Sequence, residues 1–256
     1  MAESGSFHID PISQFAISPL WEFKVGAFNL SYTNSALFMS IAIALIALFF
    51  LLASRHSQLI PGRLQVAAEM AYEGIANIVR ENGGREAMPY FPLIFSIFFT
   101  VLLGNVLGMI PGAFTYTSHI VVTFAMALAL FAFITVLGFV KHGFHFLSRF
   151  LPPGVPVVMA PMIFALEVIS YFVRPVTLGV RLFANMMAGH MVLKVFAYFA
   201  LGLLTSGSIG LMALGILPLA MNVAMIALEL FVAVLQALIF TILTCVYLRD
   251  ALVIEH

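Results

Sequence analysis

Six ionisable side chains sit in stretches that are otherwise apolar. Glu167, Arg174, Arg181, His190 and Lys194 fall in one run from Val157 to Leu204, and Glu229 falls in the next, about 209–249. A charge held at the middle of a bilayer costs roughly 2.5–3.5 kcal/mol. The first run holds four formal charges, so about 10–14 kcal/mol must be offset by leucines and valines at about −0.3 to −0.6 kcal/mol each. A lipid-facing helix is not built this way. Ionisable groups inside a membrane face a partner or a water-filled cavity and mark an ion or substrate path.

Spacing sorts these groups into faces. Glu167, Arg174 and Arg181 recur every seven residues, a drift of only about 20° per step on a helix. Asn185 lies one turn beyond Arg181, so these four make one polar stripe. His190 is nine residues from Arg181 and projects from the opposite face, with Lys194 one turn further on. On the second limb Asn222, Glu229 and Gln236 are again seven apart. In an antiparallel hairpin that stripe could meet the first limb, and the spacing permits His190 to reach Glu229.

The residue types suggest a chemistry. Arginine stays protonated and cannot pass a proton on. A fixed cation therefore blocks straight-through proton conduction and attracts a carboxylate brought past it. Histidine and glutamate gain and lose protons, and their environment tunes where. Proton-accepting zones on either side of a fixed arginine describe a path with a barrier in the middle, which requires a moving carrier. The plainer alternative is a set of structural hydrogen bonds locking two helices together. It suits Asn222 alone, and it suits Asn105, an isolated amide in an earlier helix. It is a costly use of Glu167, Arg181, His190 and Glu229 together. Lys194 also fits an interfacial role, with its ammonium reaching toward water.

The chain that must position these groups is 63% hydrophobic and 9% charged, whereas soluble domains are about 45–50% apolar and about 25% charged. It is a polytopic membrane protein of the all-α class. Formal net charge is zero, which argues against a nucleic-acid partner. The one cysteine, Cys245, cannot form an internal disulfide and reads as a small buried apolar residue. The start of the chain lacks a basic segment followed by an apolar run, so no secretory leader is expected. No phosphate-binding loop of the G-x-x-x-x-G-K type occurs, so no nucleotide site is expected. No cofactor or metal is called for.

In order, residues 1–35 read as an extramembrane arm with little structure, in which Trp21 and Phe23 are placed to anchor at the interface. Residues 36–54 are uncharged and long enough to span. Residues 62–82 are too polar to span. Leu64, Ala67, Ala68, Ala71, Ile75 and Ile78 recur at helical spacing and Asn82-Gly83-Gly84 supplies a stop, which predicts an amphipathic helix on the membrane surface. Two spans follow, 90–110 and 118–140, divided at Met109-Ile110-Pro111-Gly112. After LPPGVP comes the long hairpin, 157–204 and 209–249. A straight 48-residue helix over the first limb would be roughly 70 Å long against a hydrocarbon core of about 30 Å. It must tilt strongly, or break at Pro175 or Gly179. Three transmembrane helices, one surface helix and a tilted two-helix hairpin make a single membrane domain, 1–256. Arg55, Arg63, Arg80, Arg85, Lys141 and Arg149 put segments 55–86 and 141–156 on the cytoplasmic side. The N-terminus is then periplasmic and the C-terminus cytoplasmic. No inverted repeat of the kind found in many secondary transporters is visible.

At RPVTLGVRLFANMMAGH the chain resembles the subunit a family of F-type ATP synthases, whose motif is close to R-L-x-x-N-x-x-A-G. Arg181, Leu182, Asn185, Ala188 and Gly189 fit it. The resemblance extends to Glu167, LLGNVLGMIPG, IPGRLQ and the terminal LQALIFTILTCVYL, and covers about 55 to 248. The resemblance implies that Arg181 faces a carboxylate of a rotating c-ring, and that His190 and Glu229 line a half-channel open to the periplasm. It implies that Glu167 lines the cytoplasmic half-channel, with Asn185 and Gln236 near the arginine. Histidine after the AG and acid on the last helix match the mitochondrial-like and alphaproteobacterial arrangement, and the bacterial-type leading arm favours a bacterial inner membrane. The partners implied are the c-ring, b-type subunits of the peripheral stalk, membrane lipid and translocated protons. Two other classes stay open: a stand-alone ion-coupled secondary transporter, and a structural membrane scaffold.

Overall fold

The computed structural model describes residues 17–21, 24–25, 28–29, 31–55, 61–110, 113–150 and 159–253. Phe23, the LPPGVP segment and the Pro111-Gly112 turn lie outside them. Short antiparallel strand pairs occupy the end of the arm. β1 (Pro19–Trp21) pairs with β4 (Tyr32–Thr33), and β2 (Lys24–Val25) pairs with β3 (Phe28–Asn29). These pairings are the regular structure of the arm among the described residues. Trp21 is 80% exposed. Thr33 then caps α1 (Asn34–Ser54), its hydroxyl accepting from the Ala36 amide at 3.4 Å.

Among the described residues, five helices are long and apolar enough to cross a membrane: Asn34–Ser54, Arg85–Gly108, Ile120–Leu147, Ala160–Leu204 and Ile209–Leu252. The second contains a 3-10 turn, Arg85–Tyr90, leading into α3 (Phe91–Gly108), and the third is α4 (Ile120–His142) continued by a 3-10 segment, Gly143–Phe150. The long first limb of the hairpin is α5 (Ala160–Leu204), continuous through Pro175 and Gly179. Its 45 residues make a rod of about 67 Å, so a break is not how the excess length is accommodated. Pro175 is buried. The second limb does break, one residue long, at Gly215 between α6 (Ile209–Leu214) and α7 (Ile216–Leu252). Pro218 explains the site. It has no N–H to give the Leu214 carbonyl, so it belongs in the first turn of a new helix.

The surface helix is α2 (Arg63–Gly83), and here the expected apolar face needs correction. Its buried residues are Ile75, Ala76, Val79 and Gly83, while Leu64 and Ala67 are exposed. The second half docks on α7, where a Cβ at Gly83 would lie 3.6 Å from Cys245 Cβ. Apolar spacing alone found the helix, but it could not separate a face turned to lipid from one turned to protein.

The core runs along the second half of α7. Ala233, Ala237, Phe240, Thr241, Thr244, Cys245, Leu248 and Ala251 are buried there against α2, α3, α4 and α5. Lys141 Nζ donates to the Leu252 carbonyl at 3.0 Å and pairs with Glu86 at 3.1 Å, and His142 Nε2 lies 3.1 Å from the same carbonyl. The end of α4 therefore caps α7 and satisfies one of its terminal carbonyls. Close approach of α5 to α4 depends on Gly179, where a Cβ would come within 3.0 Å of Phe124 Cα and 3.2 Å of the Thr123 carbonyl.

Backbone cannot yield as a side chain can. Gly179→Ala should therefore destabilise by about 1–3 kcal/mol through overpacking. Gly202→Ala, with nothing within 4 Å of the new methyl, should be neutral or stabilising by up to about 1 kcal/mol. Thermal unfolding of the two variants checks this, and equal midpoints would refute the packing argument.

Candidate functional site

α5 and α7 run antiparallel, and their polar residues meet in order. Arg174 Nη1 lies 3.4 Å from Asp250 Oδ2 and its Nη2 lies 3.7 Å from Glu167 Oε1. Its guanidinium also stands over the Tyr247 ring at 5.1 Å and the Tyr171 ring at 5.8 Å. Further along α5, Asn185 Nδ2 donates to Gln236 Oε1 at 3.1 Å. Further still, His190 Nδ1 lies 3.6 Å from Glu229 Oε1. Glu229 and Gln236 of the expected stripe do turn toward α5. His190 and the Arg181 stripe, projected onto opposite faces, nonetheless both serve α7, because Asn185 and His190 each find a partner on it.

Glu229 is the most unusual residue of this set. From Ile216 to Val232 of α7 it is the only buried side chain, at 3% exposure, amid exposed Leu217, Val223, Leu228 and Phe231. Gly189 makes room for it: a Cβ there would sit 2.7 Å from Glu229 Oε1. Neither carboxylate oxygen has a hydrogen-bond partner among the described residues, only the His190 ring nearby. A buried carboxyl so placed is expensive unless it carries a proton or shares one. His190 itself is 9% exposed, with Nε2 at 3.0 Å from Thr115 Oγ1.

Arg181 is different. It lies between the Arg174 and Asn185 clamps, is exposed, and has no hydrogen bond or ion pair among the described residues. An exposed, unneutralised guanidinium on a helix of membrane-spanning composition is a strong anchor for an anion supplied from outside the chain.

The remaining expected residues divide. Asn105 is fully buried, and its Nδ2 donates to the Ala233 carbonyl at 3.4 Å, which ties α3 to α7. Asn222 is half-buried, with its Oδ1 unpartnered among the described residues. Lys194 is half-exposed one turn past His190 and acts on that ring electrostatically. The sequence reading missed Asp250, Tyr247 and Thr115. Asp250 lies beside Arg249 near a helix end and looked like an ordinary charged flank. Thr115 sits in an uncharged loop and gave no signal. In the same loop, burial pushes the Tyr116 phenol up and the His119 imidazole down, so both are held neutral. No cluster of metal-ligating side chains occurs among the described residues.

Known proteins are similar to this chain over nearly its whole length. A sequence model of the family described as ATP synthase A chain matches residues 36–249. ATP synthase subunit a of Parvibaculum lavamentivorans is 51% identical over 248 residues, 97% of this chain and 95% of that one. The protein of the same name from Mesorhizobium japonicum is 51% identical over 97% of this chain and 98% of its own. That of Rhodospirillum rubrum is 50% identical over 94% of this chain and 98% of its own.

If His190 and Glu229 form one unit, exchanging them should preserve it. The double variant His190→Glu/Glu229→His should unfold closer to wild type than the two single changes predict, with a coupling of about 0.5–3 kcal/mol. Thermal stability of the four proteins gives that number directly, and simple additivity would mean that the pair does not interact.

Proposed function

The chain belongs to the ATP synthase A chain family, and on that premise we propose that it is the proton-translocating stator subunit of a rotary ATP synthase. It provides two offset half-channels to a c-ring, with Arg181 as the essential residue between them. The observation that carries this reading is the position of Arg181: exposed and unneutralised, between one polar cluster around Arg174 and another around Glu229.

In the synthesis direction a proton enters from outside at the His190/Glu229 pair. It passes to a ring carboxylate, whose neutral form then moves through lipid without a desolvation penalty. After nearly a full turn the carboxyl approaches the Arg174, Glu167 and Asp250 cluster and releases its proton toward the cytoplasm. Arg181 stabilises the ionised carboxylate in transit. Because a guanidinium does not give up its proton, it also closes a direct route between the half-channels. Asn185, bonded to Gln236 one turn from Arg181, holds that part of α5 on α7.

Sidedness is supported by charge. Lys141, His142, Glu86 and the end of α7 lie together, and Arg249 is in the last turn of α7. The positive-inside rule makes this end cytoplasmic. The Glu229 region is far up α7 from it, toward the periplasm. The chain would thus lie in a bacterial inner membrane with a periplasmic N-terminus and a cytoplasmic C-terminus. α5 and α7 tilt against the ring, which accommodates their excess length. The c-ring and b-type stalk subunits are its protein partners, lipid surrounds it, and the chain has no catalytic ATP chemistry of its own.

Proton flux in vesicles containing the whole membrane sector tests the reading. Arg181→Ala should abolish ATP-driven pumping while passive leak is retained or increased. Unchanged pumping would make the hairpin structural or the chain a transporter with its own substrate. Sidedness has a separate check. A cysteine at Glu167 should react with a polar thiol reagent from the cytoplasmic side, and one at Glu229 should not. Cys245 is buried, so background labelling is low; the reverse pattern would invert the half-channels.

A further inference from the structure

We propose that Thr115 is a positioning residue of the proton path: its hydroxyl fixes the tautomer of His190, so that this ring exchanges protons only through the nitrogen facing Glu229. The inference rests on the reading that protons pass at His190 and Glu229, and adds how the pair must work.

Thr115 is buried in the loop before α4. Its Oγ1 lies 3.1 Å from the Gly108 carbonyl and 3.0 Å from His190 Nε2. A hydroxyl has one proton. A carbonyl only accepts, so that proton is committed to Gly108, the last residue of α3, whose carbonyl is among those the helix leaves open. Toward His190 the hydroxyl can then only accept, and Nε2 must be the donor. Gly108 is what allows the arrangement, since a Cβ there would run into the Thr115 side chain.

The consequence falls on the other ring nitrogen. With Nε2 carrying hydrogen, the neutral ring has a lone pair at Nδ1, 3.6 Å from Glu229 Oε1. A lone pair facing a carboxylate repels, so the pair holds at least one proton between them. The permitted step is transfer from protonated Glu229 to Nδ1, giving a carboxylate and an imidazolium, and its reversal. Release from Nε2 would require Thr115 to pass a proton to an amide carbonyl, which is not a base at accessible pH. His190 therefore takes and returns its proton through Nδ1 alone, and acts on the path as the partner with which Glu229 exchanges protons. The other charged group acting on the ring is Lys194, from α5 itself.

The test uses the intact complex in membrane vesicles, with assembly measured separately from pumping. Thr115→Val keeps the shape and loses the hydroxyl; pumping should fall about tenfold, as expected for one lost buried hydrogen bond. Thr115→Ser should stay within about threefold of wild type, since the same bond can form. His190→Ala is the reference. If it pumps normally, the reading of the pair fails. If it fails to pump while Thr115→Val pumps normally, only the role of Thr115 is overturned. Loss in an assembled Thr115→Ser variant would likewise overturn it, because the methyl rather than the hydroxyl would then matter. Should the valine variant not assemble, nitrogen-15 spectra of the wild-type His190 ring decide: Nε2 should carry hydrogen throughout, and a bare Nε2 would refute the assignment.

Discussion

Polar groups on helices that water does not reach must find their partners in each other. Most of what is specific about this structure follows from that constraint on α5 and α7. Arg174 takes two carboxylates, Asn185 takes Gln236, and His190 takes Glu229. The Arg174–Asp250, Asn185–Gln236 and His190–Glu229 pairs join α5 to α7 at different heights, so together they set the register of two helices whose apolar surfaces alone would slide. Removing Asn185 or His190 would leave buried Gln236 or Glu229 unsatisfied, a larger penalty than the pair's net contribution. Arg181 is left out of this pairing, and having no hydrogen bond or ion pair among the described residues distinguishes it from exposed Asn185, which has a structural task.

The other helices hold that register. α7 is central, with small residues along its second half admitting α2, α3, α4 and α5 at close range. Asn105 reaches across to the Ala233 carbonyl. Lys141 and His142 close the end of α7. The loop before α4 supplies Thr115, so the first half of the chain contributes directly to the polar hairpin.

Much of this was legible in the sequence, and for identifiable reasons. Apolar runs longer than a bilayer needs gave the helices. The heptad spacing on the second limb linked Glu229 to Gln236, which both turn toward α5. The motif around Arg181 gave the resemblance. What stayed hidden were contacts between segments distant in the chain. Asp250 was indistinguishable from a solvated helix end until Arg174 was beside it. Thr115 looked like any loop threonine. Along α2, apolar spacing did not tell which apolar residues pack on protein, because Leu64 and Val79 are equally apolar and only tertiary packing separates them. Pro175 and Gly179 suggested a break that did not occur, whereas Gly215, ahead of Pro218, was passed over. Helical projection also kept His190 away from the Arg181 stripe, since it treats side chains as stubs on a straight cylinder.

The unbroken course of α5 has a mechanical meaning. A single rod of 45 residues is fastened to α7 at Arg174 on one side of Arg181, and at Asn185 and His190 on the other. Arg181 thus sits at the middle of a beam supported at both ends. A sideways push on its guanidinium is not borne by one flexible side chain. It becomes bending of the rod, shared between the two supports. A hinge at Pro175 or Gly179 would have let the loaded point swing; continuity keeps the span between the supports from folding under such a load.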